Sequence, residues 1–230
     1  MFAAYSLRLP TIPENLIQES IAYLNTINLQ EAYDPKEVFS KQDWQAVERF
    51  YMETNYTKSK YARIMLTDEL KNKIVQELCN DNPHLFDYIN NLRMQVIHDG
   101  EAICPHRDNN RQAHLIYPVT KDFSLTEFYS YLNKDPERYV YSLKELSGPI
   151  EVHKFRPNTW YLFNNQKVHM VKNNNQVRMA LCVDLDASYH NMITKFTAYN
   201  IINWNYYPLF KFKINLNVTN GIGKDASIIP

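Results

Sequence analysis

Charge of either sign is not in excess: the 230 residues carry 25 Lys and Arg against 25 Asp and Glu. A balanced chain has no summed field to draw it to phosphate backbones or anionic lipid, so neither a nucleic-acid partner nor a membrane surface is expected. Cysteine is scarce. Cys79, Cys104 and Cys182 are odd in number and far apart, which argues against a disulfide framework and for reduced, buried thiols. Long apolar runs are missing too, since nothing approaches the roughly 20 residues of a membrane span. Met1 to Pro10, with Arg8 as its only charged side chain, lacks the apolar stretch of a signal peptide. A cytoplasmic protein is the expectation, and there the Asn-Tyr-Thr at Asn55 and Asn-Val-Thr at Asn217 are chance matches to a glycosylation pattern. No internal repeat or low-complexity segment breaks the chain.

What is present is 45% hydrophobic residues, enough for one sizeable core and one structural domain. The first ninety residues read as helical. Leu16, Ile17, Ile21, Leu24 and Ile27 recur at helix spacing after Pro13-Glu14, and Leu70, Ile74, Val75 and Leu78 do so after a Thr67 cap and acidic Asp68 and Glu69. Tyr33 to Tyr61, rich in aromatics, has no clean period. From Leu92 the texture changes to short β-like runs separated by turn residues, as in an antiparallel sandwich or barrel: Leu92 to His98, Gln112 to Val119, Pro149 to Phe155, Thr159 to Phe163, Val168 to Val171 and Gln176 to Asp184. Phe210 to Val218 alternates apolar and polar side chains like a strand with one wet face. The chain therefore divides into a mostly helical region 1–91 packing on a β core 92–220, with an insertion 121–146 and a loose tail 221–230. The fold class is mainly β with a helical N-terminal region, α+β.

The chemistry centres on Pro105-His106-Arg107-Asp108. In an extended segment residues two apart share a face, so His106 and Asp108 can reach one metal ion. Downstream lie Thr159-Trp160-Tyr161-Leu162-Phe163-Asn164-Asn165, Val168-His169-Met170-Val171 and, beyond an Asn-rich turn, Gln176-Val177-Arg178. A hairpin closing about Asn173-Asn174 would set His169 directly opposite Arg178 on one face. Two histidines and a carboxylate leave part of an iron's coordination open to O₂. A guanidinium beside them suits a dicarboxylate, which it binds through two hydrogen bonds.

These residues resemble the Fe(II)/2-oxoglutarate-dependent oxygenases of the double-stranded β-helix, or jelly-roll and cupin-like, fold. The closer likeness is to the aspartyl/asparaginyl β-hydroxylase-like group, which includes free-proline hydroxylases. It rests on Pro-His-Arg-Asp-Asn, a His on the next strand, Trp-x-x-Phe-Asn-Asn, His-x-Val-x-Asn, and an Arg ahead of an apolar strand ending in Asp, over roughly Leu92 to Asp186. The resemblance implies Fe(II) held by His106, Asp108 and His169, and 2-oxoglutarate as co-substrate held by Arg178, with His114 a further contact. It implies hydroxylation of an amino acid, peptide or protein side chain, with O₂ consumed and succinate and CO₂ released.

The chain departs from the group in one place and from a sister branch in another. Gln112-Ala113-His114 stands where members carry Arg-x-His, removing one expected cation. Asp184 stands where the nucleic-acid demethylases carry a second Arg, which counts against base repair. His98 and His153 also lie in strand-like runs without such a constellation, Arg107 and Asn109 flank the ligands, and 121–146 has the length of a lid. The competing readings are a cupin-like metal protein of another class, an isomerase or a dioxygenase without the keto acid, and a non-catalytic β-sandwich binding module.

Overall fold

The computed structural model describes residues 1–27, 41–58, 62–108, 111–121, 125–132, 138–173, 176–206 and 210–211. Eight strands carry the architecture: β4 (Ile89–Ile97), β5 (Glu101–His106), β6 (Ala113–Pro118), β7 (Thr126–Tyr131), β8 (Leu146–His153), β9 (Tyr161–Asn164), β10 (Val168–Lys172) and β11 (Arg178–Leu185). They pair antiparallel as nested partners, β7 with β8, β6 with β9, β5 with β10 and β4 with β11. One long hairpin is thus rolled so that successive partners fall in opposite sheets, which is the double-stranded β-helix expected from the sequence. Four short strands extend the edges: β1 (Ala4–Ser6) and β3 (Ala62–Met65) flank β9-β6-β11-β4, while β12 (Phe210–Lys211) and β2 (Thr57–Lys58) flank β8-β7-β10-β5.

Helices cover both outer faces. Helix α3 (Asp68–Cys79) begins where the Thr67 hydroxyl accepts from the Leu70 N–H at 3.3 Å, and it buries the expected Leu70, Ile74, Val75 and Leu78. Together with α1 (Glu14–Thr26) and α4 (Tyr189–Ala198) it packs on Leu92, Met94, Leu181 and Val183, the outward side chains of the first sheet. Helix α2 (Lys41–Glu53), in a stretch that shows no period, places Ala46, Val47 and Phe50 against Ala102, Cys104, Val168 and Met170 on the second sheet. The inward face left by alternation carries Phe128, Phe163, Ala180 and Cys182. It also carries most of the buried polar residues.

Three expectations change. The 91/92 boundary falls inside β4, and the N-terminal region contributes strands as well as helices. The span 121–146, read as an insertion and a lid, contains β7, which lies between β8 and β10 and cannot lift away without breaking the sheet. Thirdly, β10 and β11 form no hairpin with each other, because β10 pairs with β5 and β7 and β11 with β4 and β6. Asn173 makes the crossing between sheets. Its side-chain amide donates to the carbonyls of Ile97, His98 and Gln176 at 2.8 to 2.9 Å, fixing the chain where it leaves one sheet for the other. Of the strand expected over 210–218, Phe210 and Lys211 pair with Val152 and Glu151; the remainder, the tail 221–230 and Asn109 lie outside the described residues.

Candidate metal and co-substrate site

His106 ends β5 and His169 lies near the start of β10, and the two are register partners, which brings their ring centroids to 4.3 Å. Each ring is oriented the same way. The Nδ1 of His106 bonds the Cys104 carbonyl and that of His169 the Lys167 carbonyl, both at 2.9 Å. A carbonyl can only accept, so Nδ1 carries a proton, and Nε2 is the atom left to present a lone pair when the ring is neutral. His169 is only 5% exposed. Burial, then the neighbouring His106 and, more weakly, His114 and Arg178, hold its pKa well below the ordinary histidine value, so the ring stays neutral.

Asp108 follows His106 by two residues, and its Oδ1 lies 3.8 Å from the His106 Nε2. Its other oxygen is held from behind: Arg111 Nη2 reaches Oδ2 at 2.9 Å, and the Asn165 side-chain amide donates to the same atom. Asn165 is fully buried and passes the contact on, because its Oδ1 accepts from the His114 Nδ1 at 2.6 Å. His114 stacks on Phe163 at 4.7 Å, and Phe163 in turn meets His169 edge-on at 4.8 Å. Arg178, 1% exposed, begins β11 in the opposite sheet with the same parity as the inward Ala180 and Cys182. His169 and Arg178 therefore share the interior from facing sheets, not from one hairpin, and the positive charge of Arg178 reaches the His169 ring.

The donor set suits a divalent cation in kind: two imidazoles, each with Nδ1 held by a backbone carbonyl, and one carboxylate. In spacing, no group of three His, Cys, Asp or Glu among the described residues stands at metal-binding distance. The two rings lie side by side, and Asp108 turns Oδ1 toward His106 while Oδ2 is held by Arg111. Arg107 points elsewhere, its guanidinium 4.7 Å over the Tyr139 ring. His98 sits at the turn before β5, where its N–H donates to the Glu101 carboxylate at 2.9 Å. Arg111 and Asn165 escaped the sequence reading. For Asn165 a signal existed in the doubled Asn after Trp-x-x-Phe, whereas Arg111 belongs to no motif.

His153 belongs to a second inward cluster on the far side of Phe128. Its Nδ1 meets the Tyr206 hydroxyl at 3.0 Å and its Nε2 meets Glu151 Oε2 at 3.2 Å. Glu151 also accepts from the Ala3 N–H at 2.7 Å and from Lys167 at 3.2 Å. Burial alone would raise its carboxyl, but these partners outweigh it and hold the pKa at about 2.

No family model and no curated protein matches the chain. Solved structures do. AviO1 from Streptomyces viridochromogenes Tue57 is 12% identical, over 80% of this chain and 90% of that one, with a TM-score of 0.46. A Burkholderia pseudomallei oxidoreductase of the 2OG-Fe(II) oxygenase family is 12% identical, over 66% and 81%, with a TM-score of 0.39. Escherichia coli YcfD is 16% identical with a TM-score of 0.39 over 70% of this chain; the match spans 41% of YcfD. YcfD is described as a ribosomal oxygenase, and one of its structures holds cobalt and 2-oxoglutarate. The architecture assigned above stands on this chain's own strand order.

Proposed function

We propose that this chain is an Fe(II)- and 2-oxoglutarate-dependent dioxygenase that hydroxylates an amino acid, peptide or protein side chain. The observation that supports the reading is the cross-strand pair of His106 and His169, each with Nδ1 bonded to a backbone carbonyl, with Asp108 Oδ1 3.8 Å from His106 Nε2. His106, His169 and Asp108 are the ligands in this reading. When bound, the metal supplies activation of O₂, so that substrate C–H, 2-oxoglutarate and O₂ become C–OH, succinate and CO₂. The protein's part is binding and exclusion. Arg178 remains charged at any working pH and pairs with the distal carboxylate of the co-substrate. His114, steadied by Asn165, lines the same space, while Phe128 and Phe163 form an apolar wall that keeps water from it.

The test is anaerobic titration of the protein with Fe(II) and 2-oxoglutarate, watched for the visible charge-transfer band, followed by succinate formation under air. Arg178→Lys and Arg178→Ala should weaken 2-oxoglutarate binding by about 10- and 100-fold, because a lysine offers one point charge where the guanidinium offers a fork. Metal binding should persist in both. Full activity in Arg178→Ala would favour a cupin-like enzyme that works without the keto acid.

A further inference from the structure

We infer that Arg111 is the positioning residue of this site: it anchors one oxygen of Asp108 so that the other faces the His106 imidazole. The inference rests on the metal-site reading above and deepens it. Two donors, Arg111 Nη2 at 2.9 Å and the Asn165 amide, converge on Asp108 Oδ2, and Oδ1 is the atom that faces His106 Nε2. Arg111 is itself anchored. Its Nη1 lies 2.8 Å from Asp184 Oδ1, and Asp184 is gripped by Arg93 through Nη2 at 3.0 Å and Nε at 3.3 Å. The side chains of this chain of ions are all less than a fifth exposed.

Two physical effects of Arg111 on a bound cation oppose each other. Its positive charge repels a divalent ion, and its hydrogen bonds orient the carboxylate that attracts one. Asp184, 2.8 Å from Arg111, offsets part of that repulsion. Orientation is not cancelled by anything. A carboxylate released from Arg111 regains its rotamer freedom, and that freedom must be lost again whenever a metal binds. Asp184, where the demethylases carry an Arg, thus acts as the anchor of the anchor.

The experiment uses Mn(II) as the probe, its free-ion EPR signal reporting binding to the full-length protein. Arg111→Gln should weaken Mn(II) binding by about 10- to 100-fold, the usual cost of losing an outer partner of a metal ligand. Arg111→Lys, which keeps the charge but cannot span two carboxylates, should fall between Gln and wild type. At saturating Co(II), the visible absorption of Arg111→Gln should differ from wild type in shape, which a merely structural role would not produce. Asp184 keeps Arg93 in the variant, so folding is preserved; if Arg111→Gln nevertheless fails to fold, Arg111→Lys carries the test alone. Wild-type affinity in whichever variants fold, or tighter binding in Arg111→Gln, overturns the inference. If instead the wild type binds no Mn(II) that His106→Ala abolishes, the metal-site reading itself has failed.

Discussion

Two histidine clusters face the interior from the same sheet on either side of Phe128, whose ring lies 5.9 Å from His169 and 5.4 Å from His153. Both pair a histidine with a carboxylate, the second buried and the first partly open at His106 and Asp108. They differ in what is left over. His106 and His169 each spend Nδ1 on the carbonyl two residues back and keep Nε2, whereas both nitrogens of His153 are taken, by Tyr206 and Glu151. Composition alone does not separate the two clusters; the unspent nitrogen does. The second cluster also has a mechanical task, since Glu151 in one sheet reaches the backbone of Ala3 beside β1 in the other and so closes the sandwich at that edge.

The sharpest way to break the comparison is to exchange the losses. His106→Ala and His169→Ala should lower divalent-metal affinity by more than about 100-fold, since each removes a direct ligand. Unfolding of the metal-free protein should change far less. His153→Ala should do the reverse: Mn(II) affinity stays within about twofold, while stability falls by about 3 kcal/mol because a buried carboxylate loses a partner. Mn(II) titration and denaturant unfolding on the same three variants decide it. Were His153→Ala to lose metal and His169→Ala to keep it, the roles assigned to the two clusters would be reversed.

The next largest effect is on acid stability. Glu151 is held at about 2 in the folded protein, below the ordinary carboxyl value of the unfolded chain. A depressed folded pKa contributes stability that is complete above pH ~5 and is lost as pH falls through the window from ~4.5 to ~2. For Glu151 that contribution is about 3 kcal/mol, the side chain being almost fully buried. Glu151→Gln should therefore be less stable at neutral pH and should lose less on acidification. Glu145, set at about 2 by Arg138 and Ser142 against burial, titrates over the same range. The measure is therefore the difference between the two pH profiles, and parallel profiles would remove Glu151 from the account.

How much of this was legible follows the same division. Local signals carry over into the structure: the Thr67 cap, the α3 stripe and the β-like runs that form β6 and β11 are all set by neighbours within a turn or a strand. What failed was pairing. The stretch from Asn173 to Gln176 has the composition of a hairpin turn, yet the strands it joins lie in different sheets, and Asn173 bonds the carbonyls of Ile97 and His98 just before the turn that precedes β5, some 75 residues away in sequence. β7 was lost inside a presumed insertion for a related reason: its Tyr-rich sequence faces α2 on one side and the core on the other, and so lacks clean alternation. Arg111, Asn165, Arg93 and Asp184 join residues up to 91 apart, and no periodicity announces such a set. A pair two residues apart such as His106 and Asp108 is visible in sequence; the partners that orient it come from the topology.

The smallest test of the comparison is Tyr206→Phe. The phenol bonds His153 Nδ1 at 3.0 Å, and its ring stacks on the imidazole at 24° between planes. Removing the oxygen keeps the stacking and the packing against Tyr161, so the cost is that of one hydrogen bond to a buried ring nitrogen, about 1 kcal/mol. Metal affinity should not move, because Phe128 and Phe163 stand between this ring and His169 and neither is altered. A fall in Mn(II) affinity in Tyr206→Phe would show that the two clusters are coupled through the aromatic wall, and that wall would then be part of the site instead of its boundary.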